Sequence, residues 1–326
     1  MKALVLEKNG ELKVKNDWPI EDAKTLDSLL INVEACGVCG SDIPKEFQND
    51  AYHYPLVMGH EFSGIVAENK EGSKFIKGDR VTVFPLIPTN TNEKAYQTVD
   101  YAPLKEYNYF GSLCDGDFSE FLQVPQANLF SVPDRVDIIH AAMTELAAVA
   151  LHGVKRLHIN AGDTGVVIGG GPIEKMTAQW LRIQGCREAF VVDIDDQKLA
   201  IAASMGFKSI NAQKLDVVDY ILDATEGEGA PRVVEACGFP STFLQVIKIA
   251  IRAGEVVFMG NIHGDFKIEE KDFSSLLRKE LTIYATWNSK VVPKEDDDWS
   301  TVLKYMDKEL QVAPLISDVV NRDEAP

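Results

Sequence analysis

The amino-acid sequence predicts an α/β protein in which a β-rich first part, expected to form a small barrel, precedes a doubly wound parallel sheet. Three observations lead to this fold class. Short apolar runs separated by Gly, Asp and Pro dominate up to about residue 141, strand-like and helix-like runs alternate after it, and a glycine-rich turn joins the first strand and helix of the second part. With 326 residues the chain exceeds the size that one hydrophobic core serves, so we expect two domains.

The first part contains short strands and ends on a helix. Its apolar or alternating runs predict strands at residues 1–6, 28–33, 64–67 and 80–83. The apolar stretch 142–151 predicts the helix. Residues 88–109 are polar, contain no Cys and follow no period, so we expect a surface lobe there.

The second part shows the alternation that is typical of βαβ units. Strands are predicted at residues 165–168, 189–194, 232–236 and 255–259, and helices at residues 173–184 and 198–205. This order predicts a parallel sheet. The change of pattern divides the chain into one domain formed by residues 1–148 and 285–326 and a second domain formed by residues 149–284.

Composition excludes several classes of protein. The net charge of -17 repels a phosphate backbone, so no nucleic-acid partner is expected. No apolar run is long enough to span a bilayer and the N-terminus lacks a secretory signal, so we expect no membrane association and a cytoplasmic location. Five cysteines are an odd number and do not form a disulfide framework, which fits a reducing compartment.

A glycine-rich turn, GGGPIE at residues 169–174, follows the first strand of the second part. Gly169 allows a tight turn and Gly171 lets the backbone approach a pyrophosphate at the N-terminus of the next helix. Glu174 stands where a third glycine is usual, with its carboxylate near the expected phosphates. Asp193 ends the next strand, where it can accept hydrogen bonds from a ribose 2′-OH and repel a 2′-phosphate, which favours NAD over NADP. A plain strand-to-helix turn remains the alternative.

A second cluster of reactive residues begins with CGVCGSD at residues 36–42. Its C-x-x-C alone fits a redox pair, half a zinc knuckle or two core residues, and the lack of a second C-x-x-C excludes a four-cysteine zinc site. A catalytic zinc needs three protein ligands and one open position, and a Cys, a His and a carboxylate are suitable donors. Spacing alone leaves many such triples open, because other histidines besides His60 are available, among them His140, His152, His158 and His263.

Five stretches resemble the medium-chain dehydrogenase/reductase family, in the same order along nearly the whole chain: residues 36–42, 59–64, 78–81, 144–152 and 169–173. The runs AYHYP at residues 51–55 and LRKEL at residues 277–281 resemble its polyol dehydrogenase branch. The resemblance implies a GroES-like β-barrel catalytic domain at residues 1–148 and 285–326, plus a Rossmann doubly wound parallel-sheet domain that binds NAD. It also implies zinc-dependent oxidation of a secondary alcohol, with hydride transfer to NAD.

The resemblance also implies roles for individual residues. The expected zinc ligands are Cys39, His60 and Glu145. Glu61 is expected to lie beside the zinc or to exchange with one of its ligands, Asp42 to orient His60, and Ser41 to contact the substrate hydroxyl or a water on the zinc. Ser41 and Glu61 carry the proton outward. The expected cofactor-binding residues are Gly169, Gly171, Pro172, Ile173, Asp193, Lys198, Ala236, Met259 and Gly260. The other cysteines are expected to be structural: Cys36, Cys114, Cys186 and Cys237.

The sequence departs from the family pattern at two places. Many members hold a structural zinc with four cysteines, and the matching positions here carry no thiol: Thr89, Asn92, Ala95, and Pro103 or Leu104. One zinc per chain is therefore expected, with the lobe held by the packing of residues such as Tyr96, Tyr101 and Tyr107. The family also continues with a helix and a Gly-Lys-Val strand, whereas this sequence stops at Pro326, so an incomplete C-terminal part is expected.

The expected substrate is a polyol or a polyol phosphate of the galactitol 1-phosphate type. A sorbitol- or threonine-type dehydrogenase acting on an unphosphorylated substrate is one alternative, and a non-catalytic NAD-binding relative is another. Lys45 and His53 are candidates for contact with a phosphate, although an exposed surface position fits them equally. A homo-oligomer, a dimer or tetramer, is expected through the end of the second-domain sheet near Ile283.

Overall fold

The structure, a computed structural model, describes residues 1–20, 27–68, 70–90, 92–94, 103–291 and 297–324. The chain forms two compact units. Unit 1 comprises Met1–Glu145, Ser289–Lys308 and Ile316–Pro326, and unit 2 comprises Leu146–Asn288 and Glu309–Leu315. The main junctions thus lie after residues 145 and 288, where the sequence-based division has 148 and 284.

Unit 1 is rich in short antiparallel strands. They are β1 (Ala3–Lys8), β2 (Glu11–Lys15), β3 (Ser28–Gly37), β4 (Leu56–Val57), β5 (Glu61–Val66), β6 (Arg80–Val83), β7 (Leu86–Pro88), β8 (Tyr107–Tyr109), β9 (Phe121–Pro125) and β10 (Leu129–Ser131). Within the described ranges they form a five-stranded sheet in the order β10-β6-β5-β3-β9, a three-stranded sheet in the order β2-β1-β4, and the pair β7-β8.

The alternation of side chains along β3 explains why the five-stranded sheet covers a core. Leu29, Ile31 and Val33 are buried, whereas Asn32 and Glu34 point away from that core. Successive side chains of a strand point to opposite faces, so one face of β3 packs against apolar residues of β5, β6 and β9. The sequence prediction of a strand at residues 28–33 is confirmed, and the strand extends to Gly37.

The polar segment predicted as a surface lobe contains regular structure at both ends. β7 and β8 pair antiparallel, and the Glu93 carboxylate accepts hydrogen bonds from the backbone N–H groups of Lys105 and Glu106. Tyr107 begins β8. Ala95, Tyr96 and Tyr101, which the sequence analysis singled out, lie outside the described residues.

The described helices of the first half include one that follows Cys39 and one that contains Glu145, two of the candidate ligands. They are α1 (Asp42–Phe47), α2 (Ile138–Ala141) and α3 (Thr144–Val154). α1 follows the C-x-x-C directly, and α3 begins one residue before Glu145. A single-turn 3-10 helix also spans Gln126–Asn128.

Unit 2 contains the predicted parallel sheet. Its strands are β11 (Thr164–Ile168), β12 (Glu188–Asp193), β13 (Lys208–Asn211), β14 (Ala230–Glu235), β15 (Ala250–Phe258) and β16 (Thr282–Ala285), and its helices are α4 (Pro172–Ile183), α5 (Asp196–Ser204), α6 (Val217–Ala224), α7 (Pro240–Ile249) and α8 (Glu270–Lys279). The strand order is β13-β12-β11-β14-β15-β16, and every neighbouring pair is parallel. This is the doubly wound order, with its switch point between β11 and β14.

The strands of unit 2 are apolar because both faces of a parallel sheet are covered. Val166, Ile168, Phe190 and Val192 are all buried in its core. β13 was missed by the sequence analysis, since its four residues, KSIN, contain one large apolar side chain.

The chain after Asn288 belongs to unit 1, except for residues 309–315, which belong to unit 2. It contains α9 (Asp298–Tyr305) and the 3-10 turns Ala313–Leu315 and Arg322–Glu324. Trp299 is fully buried, stacks on Phe130 and donates a hydrogen bond to Ser289 Oγ. The Arg135 guanidinium binds carbonyl groups near the end of α9. In the described part of the chain no helix is both long and apolar enough to cross a membrane.

Candidate active site

Three potential metal ligands converge in unit 1. One donor atom each from Cys39, His60 and Glu61 lies within 4.8 Å of the other two. Cys39 lies between β3 and α1, His60 precedes β5, and Glu61 is the first residue of β5. Gly37 pairs with Glu61 in the sheet, which brings the C-x-x-C turn beside the Gly-His-Glu sequence.

Burial controls the protonation of this group. His60 and Glu61 are each 5% exposed. Burial lowers the pKa of His60 to about 4 and raises the pKa of Glu61 to about 7, although a hydrogen bond with Cys39 opposes the second shift. Burial also raises the pKa of the Cys39 thiol, and the Glu61 and Glu145 carboxylates add to this shift. Without a metal, the group is therefore close to neutral, and a cation that binds must displace protons.

Glu145, predicted as the third ligand, lies outside this group of three. It is buried at the start of α3, and the Tyr109 hydroxyl lies 3.4 Å from its Oε1. Burial raises the pKa of Glu145 to about 8, and the charge of Glu61 contributes. Glu61, predicted to lie beside the zinc or to exchange with a ligand, belongs to the group because it follows His60 directly in the chain. Glu145 remains close enough for its charge to act on both Cys39 and Glu61.

Tyr109 is a residue of this site that the sequence analysis did not identify. Its ring packs edge-on against His60, with ring centroids 5.6 Å apart. It ends β8, and the pairing of β8 with β7 brings the end of the polar lobe back to the site. Because Tyr109 pairs with Leu86, a residue far from it in sequence, no local pattern marks Tyr109.

Asp42 contacts different partners from the one predicted. Its Oδ1 accepts a hydrogen bond from Lys45 Nζ at 3.0 Å, and its Oδ2 accepts one from the Cys39 N–H at 3.1 Å. The distance from Oδ1 to His60 Nδ1 is 3.8 Å, which is too long for a hydrogen bond, and no group of the described residues hydrogen-bonds to this buried nitrogen. The predicted Asp42–His60 hydrogen bond is therefore not formed, because Lys45 lies one helical turn away and takes the same oxygen.

The two candidates for contact with a phosphate lie in different environments. Lys45 is 6% exposed, and besides Asp42 it binds the Gly111 carbonyl at 2.8 Å. An exposed position for Lys45 is therefore wrong. His53 is exposed, and its Nδ1 lies 3.1 Å from the Pro55 carbonyl oxygen.

Ser41 lies beside the metal group and is exposed. Its hydroxyl and backbone N–H hydrogen-bond to the Cys39 sulfur, which lowers the pKa of the thiol against the effect of burial. A thiolate on Cys39 is thus stabilised by one residue of the same turn.

The donors present fit a zinc ion. Thiolate sulfur, imidazole nitrogen and carboxylate oxygen are its usual protein ligands, and three of them leave a fourth position open. The buried His60 supports this, because burial keeps its imidazole neutral, the form in which a ring nitrogen can bind a cation.

Unit 2 contains the predicted dinucleotide turn at the carboxyl end of β11. Gly169 has a φ of +115°, a left-handed conformation that favours glycine. Gly171 is the N-cap of α4, Pro172 is its first residue and Ile173 its second. Asp193 ends β12, and its carboxylate accepts hydrogen bonds from the N–H groups of Gly170, Ile194 and Asp195.

The other predicted cofactor residues lie at the same edge of the sheet. Ala236 follows β14 and donates its N–H to the Ile168 carbonyl. Met259 and Gly260 follow β15, and both N–H groups bind the Glu235 carbonyl. Lys198 is exposed on α5, whose N-cap is Asp195. Because the carboxyl ends of parallel strands share one edge, these residues border the switch point.

Most of the dinucleotide site fits its ligand, but one buried carboxylate does not. Asp193 suits a ribose and the N-terminus of α4 suits a pyrophosphate, but the Glu174 carboxylate lies against the glycine turn. Lys175, which is also buried, binds the carbonyl groups of Gly170 and Gly171. The sequence identifies Glu174 as a departure but gives no indication of where its carboxylate points.

Comparisons with known proteins agree with both halves of the structure. Residues 26–134 match the model of the alcohol dehydrogenase GroES-like domain, and residues 172–308 match that of the zinc-binding dehydrogenases. The galactitol 1-phosphate 5-dehydrogenase of Escherichia coli is 28% identical over 97% of this chain and 92% of its own length, and its crystal structure matches with a TM-score of 0.90.

Two further relatives are similar over most of their length. A putative D-xylulose reductase of Rhizobium meliloti is 31% identical over 79% of this chain and 76% of its own. A putative zinc-binding dehydrogenase from Sinorhizobium meliloti, solved with bound NADP, is 29% identical, covers 100% of this chain and 94% of its own, and has a TM-score of 0.89. The chain therefore belongs to the zinc-binding dehydrogenases of the medium-chain dehydrogenase/reductase family, and it is an oxidoreductase.

Proposed function

We propose that this protein oxidises a secondary alcohol of a polyol or polyol phosphate and transfers the hydride to NAD. The observation that carries the proposal is the convergence of Cys39, His60 and Glu61 within 4.8 Å. When bound, zinc supplies Lewis acidity that favours loss of the hydroxyl proton, and NAD accepts the hydride.

Cys39 and His60 would be the two constant zinc ligands. Glu61 and Glu145 would alternate as the third ligand. Two buried carboxyl groups with raised pKa values repel each other when both are ionised, so one of them is best neutral while the other binds the cation. Tyr109 positions Glu145 through its hydroxyl group.

Ser41 and Glu61 would move the proton. The Ser41 hydroxyl is exposed and adjacent to Cys39, so it can accept a hydrogen bond from the substrate hydroxyl. When Glu145 is the third ligand, Glu61 is not bound to the zinc, and its buried carboxyl group, with a pKa of about 7, can accept a proton and release it near neutral pH. The proton from the alcohol would therefore pass through Ser41 and water to Glu61 or to solvent.

NAD is proposed rather than NADP because Asp193 ends β12. Its carboxylate can accept a hydrogen bond from a ribose 2′-OH, and it repels a 2′-phosphate. The related dehydrogenase from Sinorhizobium meliloti was solved with NADP, so both cofactors belong in any assay. One zinc per chain is proposed, since Thr89, Asn92 and Leu104 offer no thiol to a second one.

The two candidate substrate classes differ in whether the polyol carries a phosphate. Similarity to galactitol 1-phosphate 5-dehydrogenase favours a phosphorylated polyol. The contacts of Lys45 favour an unphosphorylated, sorbitol-like substrate. Its ammonium group already donates hydrogen bonds to Asp42 and the Gly111 carbonyl, so it is not available to a phosphate.

The test is an assay of zinc-loaded protein with NAD or NADP and four substrates: galactitol 1-phosphate, sorbitol, ribitol 5-phosphate and threonine. We expect reduction of NAD with one of them, one zinc per chain, and loss of both zinc and activity in Cys39→Ser. Cys36→Ser, three residues away and outside the ligand group, is the matched control and should keep both. Zinc-loaded protein that oxidises no substrate on a broad alcohol panel would refute the proposal.

A homo-oligomer is proposed through β16, which is an edge strand of the parallel sheet. Unpaired backbone groups of an edge strand can pair with a second copy. Size-exclusion chromatography with light scattering tests this, and a monomer at micromolar concentration would contradict it.

A further inference from the structure

The first turn of α4 places a carboxyl group directly on the glycine turn. A methyl group at Gly169 would stand 2.5 Å from Glu174 Oε1, and one at Gly171 would stand 2.6 Å from Glu174 Oε2. The two oxygens therefore lie against both glycines that shape the pyrophosphate site. Glu174 is only 7% exposed, so solvent solvates its charge poorly.

The surroundings do not neutralise this carboxylate. Among the described residues Glu174 forms no ion pair, and its carboxylate accepts a hydrogen bond from its own backbone N–H. The neighbouring Lys175 directs its ammonium group to the carbonyl groups of Gly170 and Gly171 instead. The other charged or titratable groups that interact with Glu174 are Asp193 at the end of β12, Lys198 on α5 and Cys237 after β14, whereas Asp195, the N-cap of α5, interacts with the neighbouring Lys175.

A pyrophosphate at the N-terminus of α4 would meet this group. It needs the amides of the same turn, one of which the Glu174 carboxylate already uses. Two anions on one short turn repel each other, whereas a protonated carboxyl group can donate a hydrogen bond to a phosphate oxygen. Only the neutral form of Glu174 is compatible with a bound dinucleotide in this geometry.

We infer that Glu174 makes cofactor binding proton-coupled: the protein binds NAD with the Glu174 carboxyl group protonated, and its affinity falls as the pH rises. This inference rests on the proposed function, since it assumes that a dinucleotide binds at this turn. Above the pKa of the free carboxyl group, each NAD that binds takes up one proton from solvent, which then lies between Glu174 and a phosphate oxygen.

The size of the pH effect on NAD affinity follows from the fraction of protein molecules in which Glu174 is protonated. Burial raises the pKa of Glu174 to about 7. Because the apparent affinity scales with the competent fraction, the dissociation constant for NAD should increase about tenfold between pH 6 and pH 8. Proton uptake should be about 0.9 per NAD at pH 8 and about 0.1 at pH 6.

Isothermal titration of the full-length protein with NAD, in two buffers of different ionisation enthalpy, measures both quantities without turnover. Glu174→Gln keeps the shape of the side chain but cannot ionise. It should bind NAD at pH 8 about as tightly as the wild-type protein does at pH 6, without proton uptake. Glu174→Gly, which restores the third glycine, should also lose the pH dependence. Glu228→Gln, at an exposed position of the same unit, is the matched control and should behave as wild type.

The outcomes separate this inference from the proposed function. NAD binding that is unchanged between pH 6 and pH 8 in the wild-type protein, or equally pH-dependent in Glu174→Gln, overturns the inference and leaves the proposed function intact. Failure of the wild-type protein and both Glu174 variants to bind NAD at pH 6 overturns both. Binding of NAD by the two variants but not by wild type at pH 8 supports the inference.

Discussion

Gly37 controls the position of Glu61, and a single methyl group there should displace this proposed zinc ligand. The Cβ of an alanine at position 37 would stand 2.5 Å from Glu61 Oε2 and 3.2 Å from Glu61 Cβ. Ordinary contact begins at 3.4 Å, so the carboxylate oxygen must move by about 0.9 Å. Bonds between a metal and its ligands tolerate only about 0.2 Å.

The expected result of Gly37→Ala is weaker zinc binding in a folded protein. Loss of a properly placed carboxylate should raise the zinc dissociation constant about 10- to 100-fold, which corresponds to about 1.4–2.8 kcal/mol. Competition with a chromophoric chelator at pH 7 measures this constant. Circular dichroism of the metal-free variant checks that the fold is retained.

Gly40→Ala is the matched control, because it lies in the same turn and a methyl group there meets nothing within 4 Å. Neither glycine has a positive φ, so neither substitution strains the backbone. In a Glu61→Ala background, Gly37→Ala should have no additional effect. Equal zinc affinity of the Gly37→Ala and Gly40→Ala proteins would show that Glu61 does not contribute a ligand.

Two further predictions concern the same site. Lys45→Met leaves the buried Asp42 carboxylate without its ion pair, so the free energy of unfolding of the metal-free protein should fall by about 3–5 kcal/mol in urea denaturation. The Asp42→Asn/Lys45→Met double variant should lose less than the two single variants together, and additive losses would contradict a direct coupling. Zinc affinity should rise by about tenfold to a hundredfold between pH 6 and pH 7, because the Cys39 thiol and the Glu61 carboxyl group, with a pKa of about 7, must lose protons to bind the cation. Glu61→Gln should lower the number of protons released per zinc bound by about one. Zinc affinity is measured by chelator competition at both pH values, and equal affinities of the wild-type protein at pH 6 and pH 7 would contradict this prediction.

Much of the fold was predictable because its elements are marked by local patterns. The apolar run that forms β11, the glycines after it and the amphipathic α4 are contiguous, and each of their conformations depends on neighbours in sequence. The strand at Arg80–Val83 was predicted with its observed bounds. The two-stranded pairing of β7 with β8 was not, since it joins the ends of a polar segment.

The candidate site was predictable in its residues but less so in its contacts. Cys39, His60 and Glu61 belong to motifs that the sequence displays. Three features depend on which strands and turns pack together: the convergence of Glu61 with Cys39 and His60, the contact of Tyr109 with Glu145 and the burial of Lys45.

The sequence by itself determined the α/β class, the parallel sheet with its glycine turn, and the residue types that a zinc ion and a dinucleotide require. Periodicity and backbone preference act over a few neighbouring residues, so a single chain displays them. Only the tertiary structure decided that Lys45 pairs with Asp42, that Glu61 and not Glu145 completes the group with Cys39 and His60, and that the Glu174 carboxylate lies on Gly169 and Gly171. Those contacts depend on distances of a few ångströms between packed side chains, which strand register and burial determine and which residue types alone do not.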